Sequence, residues 1–525
     1  MTRTVIIGAG AGGLATAALL AREGHDVTVL ERLDRVGGRA GTLEREGFRF
    51  DTGPSWYLMP RVFDHFFELL GTSTSEQLDL QTLEPAYAVF RQPDADGTPG
   101  EKVTVASGRQ AVMRLFESRE PGAGENVGRY LDSAQRAALL AEQRFLYNPF
   151  KRRATFVSPA VLRAAPRLTR MLTSSLDTMV TRSFADPLLR QILGFPAVFL
   201  GTSPLEAPAM YHLMSAYDLD DAVRYPMGGF WGVMTALRRL AEENGARIVT
   251  GAEVTSITTV NAGGRLRATG VVVDGERVRA DVVVSAADLH HTETRLLEPG
   301  ARAYDEAWWE RRVSGPGAVL VMLGVRGQLP ELPHHSMLFA RDWEANFAAI
   351  FGDESRVPNP ASAYVCRPSA TDPNVAPQGH DAIFILVPVP AEVALGAGGA
   401  DGGGDPAIEA VADAAIDQLA AWAEIPDLRD RIVVRETIGP QDFADDYHSW
   451  HGGMLGPAHV LRQSAMFRPG SASPRVQGLY YAGATVSPGI GVPMCLISAE
   501  LVLKHLRGDH SAGPLPVPAA RTVSA

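Results

Sequence analysis

Cysteine is scarce in this chain of 525 residues, which contains only Cys366 and Cys495. Two thiols cannot form a disulfide framework, and they cannot supply a cysteine-rich metal site. The cysteine content therefore indicates a reducing compartment, and the sequence predicts no metal site.

Long apolar runs are also missing. No stretch reaches the roughly 18 consecutive apolar residues that a membrane-spanning helix needs. The first ten residues, MTRTVIIGAG, lack the longer apolar region of a secretion signal. We therefore expect a cytoplasmic protein whose membrane contact is peripheral.

Positive charge is in deficit, because the formal net charge is −11. Such a surface repels nucleic-acid phosphates, so the sequence argues against nucleic acid as a partner. The hydrophobic content of 46% is that of a globular protein, and the length favours two or three domains. The oligomeric state does not follow from these numbers.

The N-terminal segment has the pattern of a dinucleotide-binding βαβ unit. An apolar run at residues 4–7 leads into Gly8, Gly10 and Gly13, and an alanine-rich helical stretch follows. A second short apolar run ends at Glu31. Strand, turn, helix and spaced carboxylate all agree, which makes the pattern much more specific than the glycines alone.

Each of these residues has a physical reason to be there. Gly8 permits a sharp turn, Gly10 lets backbone amides approach a pyrophosphate, and Gly13 lets the helix pack on the strand. The helix N-terminus adds a positive field. Glu31 is placed to accept hydrogen bonds from ribose hydroxyls and would repel a 2′-phosphate, which favours FAD or NAD over NADP.

The following residues favour FAD. Residues 31–42, ERLDRVGGRAGT, resemble the second half of the FAD fingerprint of the amine oxidase superfamily. By this resemblance Arg39 would lie against the FAD phosphates, a role that suits its fork of donors. The alternative is a surface arginine in a turn.

Further stretches resemble the bacterial-type phytoene desaturases and their carotenoid desaturase relatives, and together they cover about residues 3–507. In chain order they are GFRFDTGPS (47–55), FLGTSPLEAPAMYHLMSA (199–216), YPMGGFWGVMTAL (225–237), HHSMLF (334–339), LRQSAMFRP (461–469) and SPGIGVPM (487–494). Many superfamily members carry a carboxylate after the glycine of the closing strand. Here Gly483 is followed by Ala484, as in the desaturase branch.

These patterns together predict an FAD site built from both ends of the chain. The predicted FAD-binding residues are Gly8, Gly10, Ala11, Gly12, Gly13, Glu31, Arg32, Gly38, Arg39, Gly53, Pro54, Val254, Gly483, Ala484, Gly491, Val492, Pro493 and Met494.

The expected fold class is α/β, with a Rossmann-like FAD-binding domain and an interleaved substrate domain of mixed sheet and helices (α+β). The FAD-binding domain is expected at 1–110, 225–300 and 440–507, and the substrate domain at 111–224 and 301–439. Residues 508–525 read as a disordered tail, and the glycine-rich stretch 394–405 as a flexible surface loop.

The resemblance implies FAD-dependent desaturation of a linear, phytoene-like carotenoid, with hydride transfer from a substrate C–H bond to flavin N5. Residues 195–217 offer apolar walls for a tunnel, although a buried helix pair would have the same composition. His334 and His335 are candidates for the proton acceptor, but adjacent histidines also occur in surface turns, and water could suffice. Oxygen or a membrane quinone would reoxidise the flavin.

Three alternative functions stay open at this point. One is a related flavoenzyme that isomerises or oxygenates a carotenoid. Another is a different oxidoreductase of the amine oxidase superfamily, such as an amine oxidase. The last is a non-catalytic escort protein for prenylated partners.

Residues 144–170 carry seven basic side chains and no acidic one, with aromatic residues between them. This composition is typical of a segment that docks on an anionic membrane. A solvated helix face with buried aromatics is the alternative.

Changing Lys151, Arg152 and Arg153 together to Glu is expected to weaken binding to anionic liposomes. Each basic residue near anionic lipid contributes about 1 kcal/mol, and the change also adds repulsion. Vesicle flotation measures the effect, with neutral vesicles as the control. Unchanged flotation on anionic vesicles would place the membrane contact elsewhere.

Overall fold

A computed structural model describes residues 1–151 and 168–518 of the chain. Its strands are β1 (Arg3–Ile7), β2 (Asp26–Leu30), β3 (Thr42–Arg45), β4 (Phe48–Asp51), β5 (Leu80–Thr82), β6 (Tyr87–Arg91), β7 (Lys102–Val105), β8 (Arg224–Pro226), β9 (Arg247–Val249), β10 (Val254–Ala262), β11 (Arg265–Val273), β12 (Glu276–Arg279), β13 (Val282–Ser285), β14 (Gly317–Arg326), β15 (His335–Phe339), β16 (Ala363–Cys366), β17 (His380–Val389), β18 (Ile432–Ile438), β19 (Val476–Gln477) and β20 (Leu479–Tyr481).

The longer α-helices are α1 (Ala11–Arg22), α2 (Pro60–Leu69), α3 (Arg109–Arg119), α4 (Ala123–Ala141), α5 (Pro187–Gly194), α6 (Gly229–Glu243), α7 (Trp343–Phe351), α8 (Pro406–Trp422), α9 (Pro440–Tyr447) and α10 (Val492–Arg507). Short α-helical segments lie at Thr74–Gln77, Leu176–Thr181, Leu289–His291, Glu306–Trp309 and Leu428–Arg431, and many 3-10 and π turns join the elements. Within the described ranges, no helix combines the length and apolarity needed to cross a bilayer.

A parallel sheet with the strand order β20-β13-β1-β2-β9 forms the nucleotide-binding half. Strand β1 is central, and its residues Val5, Ile6 and Ile7 are buried because helices or other strands cover both faces. Parallel strands end at the same edge of a sheet. Gly8, Glu31 and Ala286, which directly follow β1, β2 and β13, therefore meet at that edge.

Helix α1 lies directly behind this edge and packs against both α6 and α10. Its alanine-rich sequence is buried from Ala11 to Ala21, since small side chains let the neighbouring helices and the sheet approach closely on several sides. The closing helix α10 is thus held next to the first helix of the chain.

A mixed sheet with the order β18-β14-β17-β16-β15-β6-β7 forms the second half. The β15 and β6 strands pair in parallel, and the other neighbours in this sheet are antiparallel. Helix α8 covers one face with Ile408, Ile416 and Leu419. The parallel and mixed sheets together confirm the α/β class with an interleaved, mixed second unit.

Three sequence expectations on organisation differ from the structure. Strands β6 and β7 belong to the mixed sheet, although residues 1–110 were expected to be in the FAD-binding domain. The 394–405 stretch is tied to its surroundings, since Gly398 N donates to Asp442 Oδ2 (2.7 Å) and Gly399 N donates to Thr437 Oγ1 (2.8 Å). Glycine permits this close approach to β18. The other domain boundaries stay a prediction.

The third difference concerns the tail expected from residue 508. Leu515 is buried, and its N–H donates to Glu500 Oε1 at 2.6 Å. Lys504, on the last turns of α10, is fully buried and its Nζ donates to the carbonyls of Tyr147, Ser511 and Gly513 at 2.8, 2.8 and 2.6 Å. Residues 508–518 therefore pack on the protein, and 519–525 lie outside the described residues.

Replacing Lys504 with Met is expected to lower the free energy of unfolding by about 2–4 kcal/mol, because three buried carbonyls lose their donor. Urea unfolding followed by circular dichroism measures the loss. Lys102→Met is the matched control, since the exposed Lys102 donates to a single carbonyl, that of Glu331, and should change stability by no more than about 0.5 kcal/mol. Equal stability of the two variants would contradict the role given to Lys504.

Candidate cofactor and substrate site

A cavity of about 680 Å³ lies between the carboxyl edge of the parallel sheet and the inner face of the mixed sheet. It is lined by the N-terminal glycine loop, by the 52–55 loop and by the closing turn before α10. Every residue predicted to bind FAD lines this cavity except Gly13. The two ends of the chain therefore meet around one space, as the sequence predicts.

Gly13 lies behind the cavity and has the packing role expected of it. A Cβ at this position would stand 2.0 Å from the carbonyl oxygen of Gly8, so only glycine lets α1 approach β1 so closely. Gly12 makes a second close contact. A Cβ added at Gly12 would stand 2.8 Å from the Cα of Gly483. The absence of a side chain at Gly12 therefore lets the first helix touch the closing strand.

Glu31 is buried at the end of β2. Its Oε2 accepts a hydrogen bond from Ala9 N at 2.7 Å, and its Oε1 accepts one from Leu33 N at 2.9 Å. These bonds fix the carboxylate at the cavity wall. Each carboxylate oxygen has a further lone pair, so Glu31 can also accept from ribose hydroxyls.

Arg39 reaches the cavity from the turn after β2, and its side chain is only 25% exposed. Its Nη2 donates to Ser449 Oγ at 2.6 Å and lies 3.8 Å from Asp288 Oδ2. Its Nε is buried and has no partner among the described residues. A partly buried guanidinium with an unpartnered donor at the cavity wall fits an anionic phosphate, so these residues suit FAD, and the phosphate contact of Arg39 stays a prediction.

The 52–55 loop is held from behind by Asp51, the last residue of β4. The Asp51 carboxylate accepts from Phe230 N (2.7 Å) and Trp231 N (3.3 Å) at the start of α6. Burial raises the pKa of Asp51 to about 7 in spite of these bonds. The helix N-terminus thus fixes the point at which the chain turns toward the cavity.

The closing turn is fixed by a buried arginine from the QSAMFRP stretch. Arg468 donates to the carbonyls of Ala484 (2.8 Å), Val486 (3.2 Å) and Pro457 (3.1 Å). Burial lowers the pKa of Arg468 to about 10. The sequence singled out this motif without a role for it, and the structure assigns Arg468 to holding the turn over the cavity.

Comparisons with known proteins agree with this geometry. The family model of flavin containing amine oxidoreductases matches residues 11–502. A carotenoid 3,4-desaturase from Haloarcula japonica is 39% identical over 504 residues, which cover 96% of this chain and 98% of that protein. A zeta-carotene-forming phytoene desaturase from Myxococcus xanthus is 36% identical and covers 96% of this chain and 93% of its own length.

The chain belongs to the flavin-containing amine oxidoreductases and, within them, to the carotenoid desaturases. A solved oxidoreductase from Methanosarcina mazei has the same fold, with a TM-score of 0.60, 19% identity and coverage of 96% of this chain and 100% of that one. The family confirms the predicted fold class and the predicted cofactor, FAD.

The substrate half of this desaturase-family cavity is apolar. The 195–217 segment, which sequence reasoning proposed as a tunnel wall, supplies many lining side chains, and β15 and α7 supply others that it missed. Lining residues from these elements are Phe195, Val198, Phe199, Leu200, Met210, Tyr211, Leu213, Met214, Tyr217, Met337, Phe339, Trp343, Phe347 and Ile350. Apolar periodicity alone cannot tell such walls from ordinary core.

His334 and His335 do not line the cavity, and neither lies in a surface turn. Both are buried, at 4% and 0% exposure. His334 Nδ1 is 2.7 Å from Thr371 Oγ1, and His335 Nδ1 is 2.7 Å from the Tyr364 hydroxyl. Burial lowers the pKa of His334 to about 3 and that of His335 well below 6.5. Tyr364, which sequence reasoning missed, lines the cavity in their place.

A further group beside the FAD-binding residues was also missed. Asp288 and His291 follow β13, Tyr447 ends α9 and His448 follows it, and all four line the cavity. Burial raises the pKa of Asp288 and lowers that of His291 to about 3. The end of the ADVVVSAAD strand was the available signal, because residues after parallel strands collect at the same edge.

Replacing Gly12 with Ala is expected to lower FAD affinity several-fold, since a Cβ would push α1 away from Gly483 and open the FAD cradle. The ratio of flavin absorbance at about 450 nm to protein absorbance measures the retained cofactor. Gly300→Ala is the control, because nothing lies within 4 Å of a Cβ there. Full FAD content in Gly12→Ala would contradict the close contact.

Proposed function

We propose that this protein is an FAD-dependent desaturase of a linear, phytoene-like carotenoid. One observation carries the proposal, namely a single cavity that joins an FAD-type cradle to a long apolar wall. The desaturase names of the full-length relatives support the same substrate class. Desaturation removes a hydride and a proton from adjacent carbons and creates a double bond.

FAD, when bound, supplies the hydride-accepting chemistry. Arg39 and the N-terminus of α1 would hold its phosphates, and Glu31 would hold its ribose. The N-terminus of α10, reached through Gly491 and Val492, adds a positive field at the other end of the site. The apolar walls exclude water and orient the chain of the substrate, which contributes several kcal/mol to lowering the barrier.

The alternatives find less support. An amine substrate calls for polar recognition, whereas the substrate half of the cavity is lined by Phe, Leu, Met and Val side chains. A non-catalytic escort protein would not need the complete FAD cradle. The relatives are named as desaturases, which favours desaturation over isomerisation or oxygenation.

We further propose that the substrate enters from a membrane surface on which the protein docks peripherally. Phe145, Phe150, Leu168 and Leu172 line the cavity and flank residues 152–167, which hold most of the basic segment and lie outside the described residues. Three further lining residues are exposed, namely Leu461 (39%), Met466 (46%) and Phe467 (57%). An apolar rim beside cations suits a lipid interface.

Oxygen or a membrane quinone remains our proposal for the acceptor that reoxidises the flavin. A cytoplasmic location with peripheral attachment is the matching proposal for localisation. A quinone would reach the flavin from the same lipid phase as the substrate, which would require no second opening.

Expression in a phytoene-accumulating bacterium should convert the colourless carotenoid into coloured, more conjugated products. Pigment extraction and chromatography with absorbance spectra measure this. Arg39→Ala, which removes the proposed phosphate contact, is the control and should give less pigment. A colourless extract from cells that contain yellow, FAD-loaded wild type would reject the proposed function, and a purified wild type without flavin would favour the escort alternative.

A further inference from the structure

The apolar wall of the cavity includes a tyrosine with a buried histidine behind it. Tyr364, on β16, lines the cavity, and its hydroxyl lies 2.7 Å from His335 Nδ1 and 2.5 Å from Ser55 Oγ. Ser55 also lines the cavity and directly follows Gly53 and Pro54 of the predicted FAD site. The Tyr364 hydroxyl is thus beside the loop that we expect to contact the flavin.

The His335 imidazole is arranged so that it can accept a proton from Tyr364. Its Nε2 is buried and has no hydrogen-bond partner among the described residues. No neighbouring donor therefore forces the imidazole proton onto Nδ1. With that proton on Nε2, Nδ1 accepts the O–H of Tyr364, and Ser55 donates to the Tyr364 oxygen.

A second tyrosine and histidine in the same cavity show the opposite arrangement. Ile490 N donates to His459 Nε2 at 3.3 Å, so the proton of that imidazole is on Nδ1. His459 Nδ1, 2.8 Å from the Tyr211 hydroxyl, therefore donates to it, and Tyr211 donates to Ser464 Oγ at 3.0 Å. His459 cannot take a proton from Tyr211, and this group only fixes the closing turn.

We propose that Tyr364 takes up the proton released by the substrate during desaturation, while His335 receives the hydroxyl proton of Tyr364. The inference rests on the proposed desaturase function and adds the proton acceptor to it. Ser55 would hold the Tyr364 oxygen in place.

One C–H bond of the substrate gives up its hydrogen with both electrons, as the hydride for which FAD is the oxidant. The adjacent C–H bond breaks, its electron pair becomes the new double bond, and its proton goes to the Tyr364 oxygen. The former hydroxyl proton of Tyr364 moves to His335 Nδ1, and after product release it returns by the same path to the cavity.

The surroundings keep both groups neutral before the reaction. Burial raises the pKa of Tyr364 well above 10 and lowers the pKa of His335 well below 6.5. The Trp56 ring stacks on His335, with centroids 4.7 Å apart and an angle of 13°. Its π face stabilises the imidazolium that forms for a short time, which a purely apolar wall would not do.

The same histidines also suggest a metal site. One ring nitrogen each of His334 and His335 and the Cys366 sulfur lie within 4.8 Å of one another. The Nε2 atoms of both histidines have no partner among the described residues, so these are the atoms that a metal ion would bind. The Nδ1 atoms of both histidines already have hydrogen-bond partners, Thr371 and Tyr364. Against a metal ion, Cys366 would have to bind as a thiolate, and burial raises the pKa of its thiol to about 12.

Tyr364→Phe and His335→Asn test the proposal in purified, FAD-loaded enzyme with phytoene in liposomes. Both variants should lower kcat by about 100-fold, the usual contribution of general acid–base catalysis, with KM and FAD content close to wild type. Asn can still accept a hydrogen bond from Tyr364 but cannot take its proton, so it separates proton uptake from positioning. The double variant should be no slower than either single variant.

Tyr87→Phe and His334→Asn are the matched controls. Tyr87 is buried, does not line the cavity, and its hydroxyl has no partner among the described residues. His334 bonds Thr371 and is likewise absent from the cavity wall. Both controls should keep kcat within about two-fold of wild type, well short of the usual effect of an acid–base group.

Three results would overturn the assignment. The first is wild-type kcat in Tyr364→Phe or His335→Asn, and the second is a loss confined to KM or to FAD content. The third is one equivalent of zinc or copper in purified wild type that is absent from Cys366→Ser, because His335 would then be a metal ligand. Failure of wild type itself to desaturate phytoene rejects the proposed function, which is a distinguishable outcome.

Discussion

The contact between the start of the first helix and the closing strand is the constraint on which the rest of the structure depends. Gly12 meets Gly483 at a distance that leaves no room for a Cβ. Because of this contact, the amides at the N-terminus of α1 and those of the turn before α10 face one space. The chain passes through the whole mixed sheet between these two points, so the second half of the molecule is built around a site that the chain ends define.

Buried polar groups maintain that geometry at several points around the cavity. Arg468 holds the closing turn through three carbonyls, and Asp51 holds the 52–55 loop through the N-terminus of α6. These groups are expensive to bury, so they stay only where hydrogen bonds replace the lost water. Leaving such a group unpaired in the interior costs free energy. This cost keeps the frame around the cofactor rigid, because movement would break the hydrogen bonds.

In the substrate half of the cavity, apolar side chains dominate where the cofactor part has buried polar groups. Its walls are mostly apolar, and the tyrosines in them include Tyr211 and Tyr364, each hydrogen-bonded to a buried histidine. The two pairs differ in the direction of their hydrogen bonds, because a backbone amide sets the tautomer of His459 and none does so for His335. Within an apolar wall of low dielectric, the direction of this hydrogen bond decides whether a tyrosine hydroxyl is only structural or can pass on a proton.

The sequence by itself determined the FAD cradle and the family, since Gly8, Gly13, Glu31 and the closing SPGIGVPM turn are local patterns whose spacing follows from backbone geometry. Only the tertiary structure decided which apolar residues line the cavity and that residues 508–518 pack on α10. It also showed that His334 and His335 lie behind the wall while Tyr364 faces the cavity. Those outcomes depend on contacts between residues far apart in the chain, such as β15 with β16 and Tyr364 with Ser55, and local periodicity contains no information about such pairings.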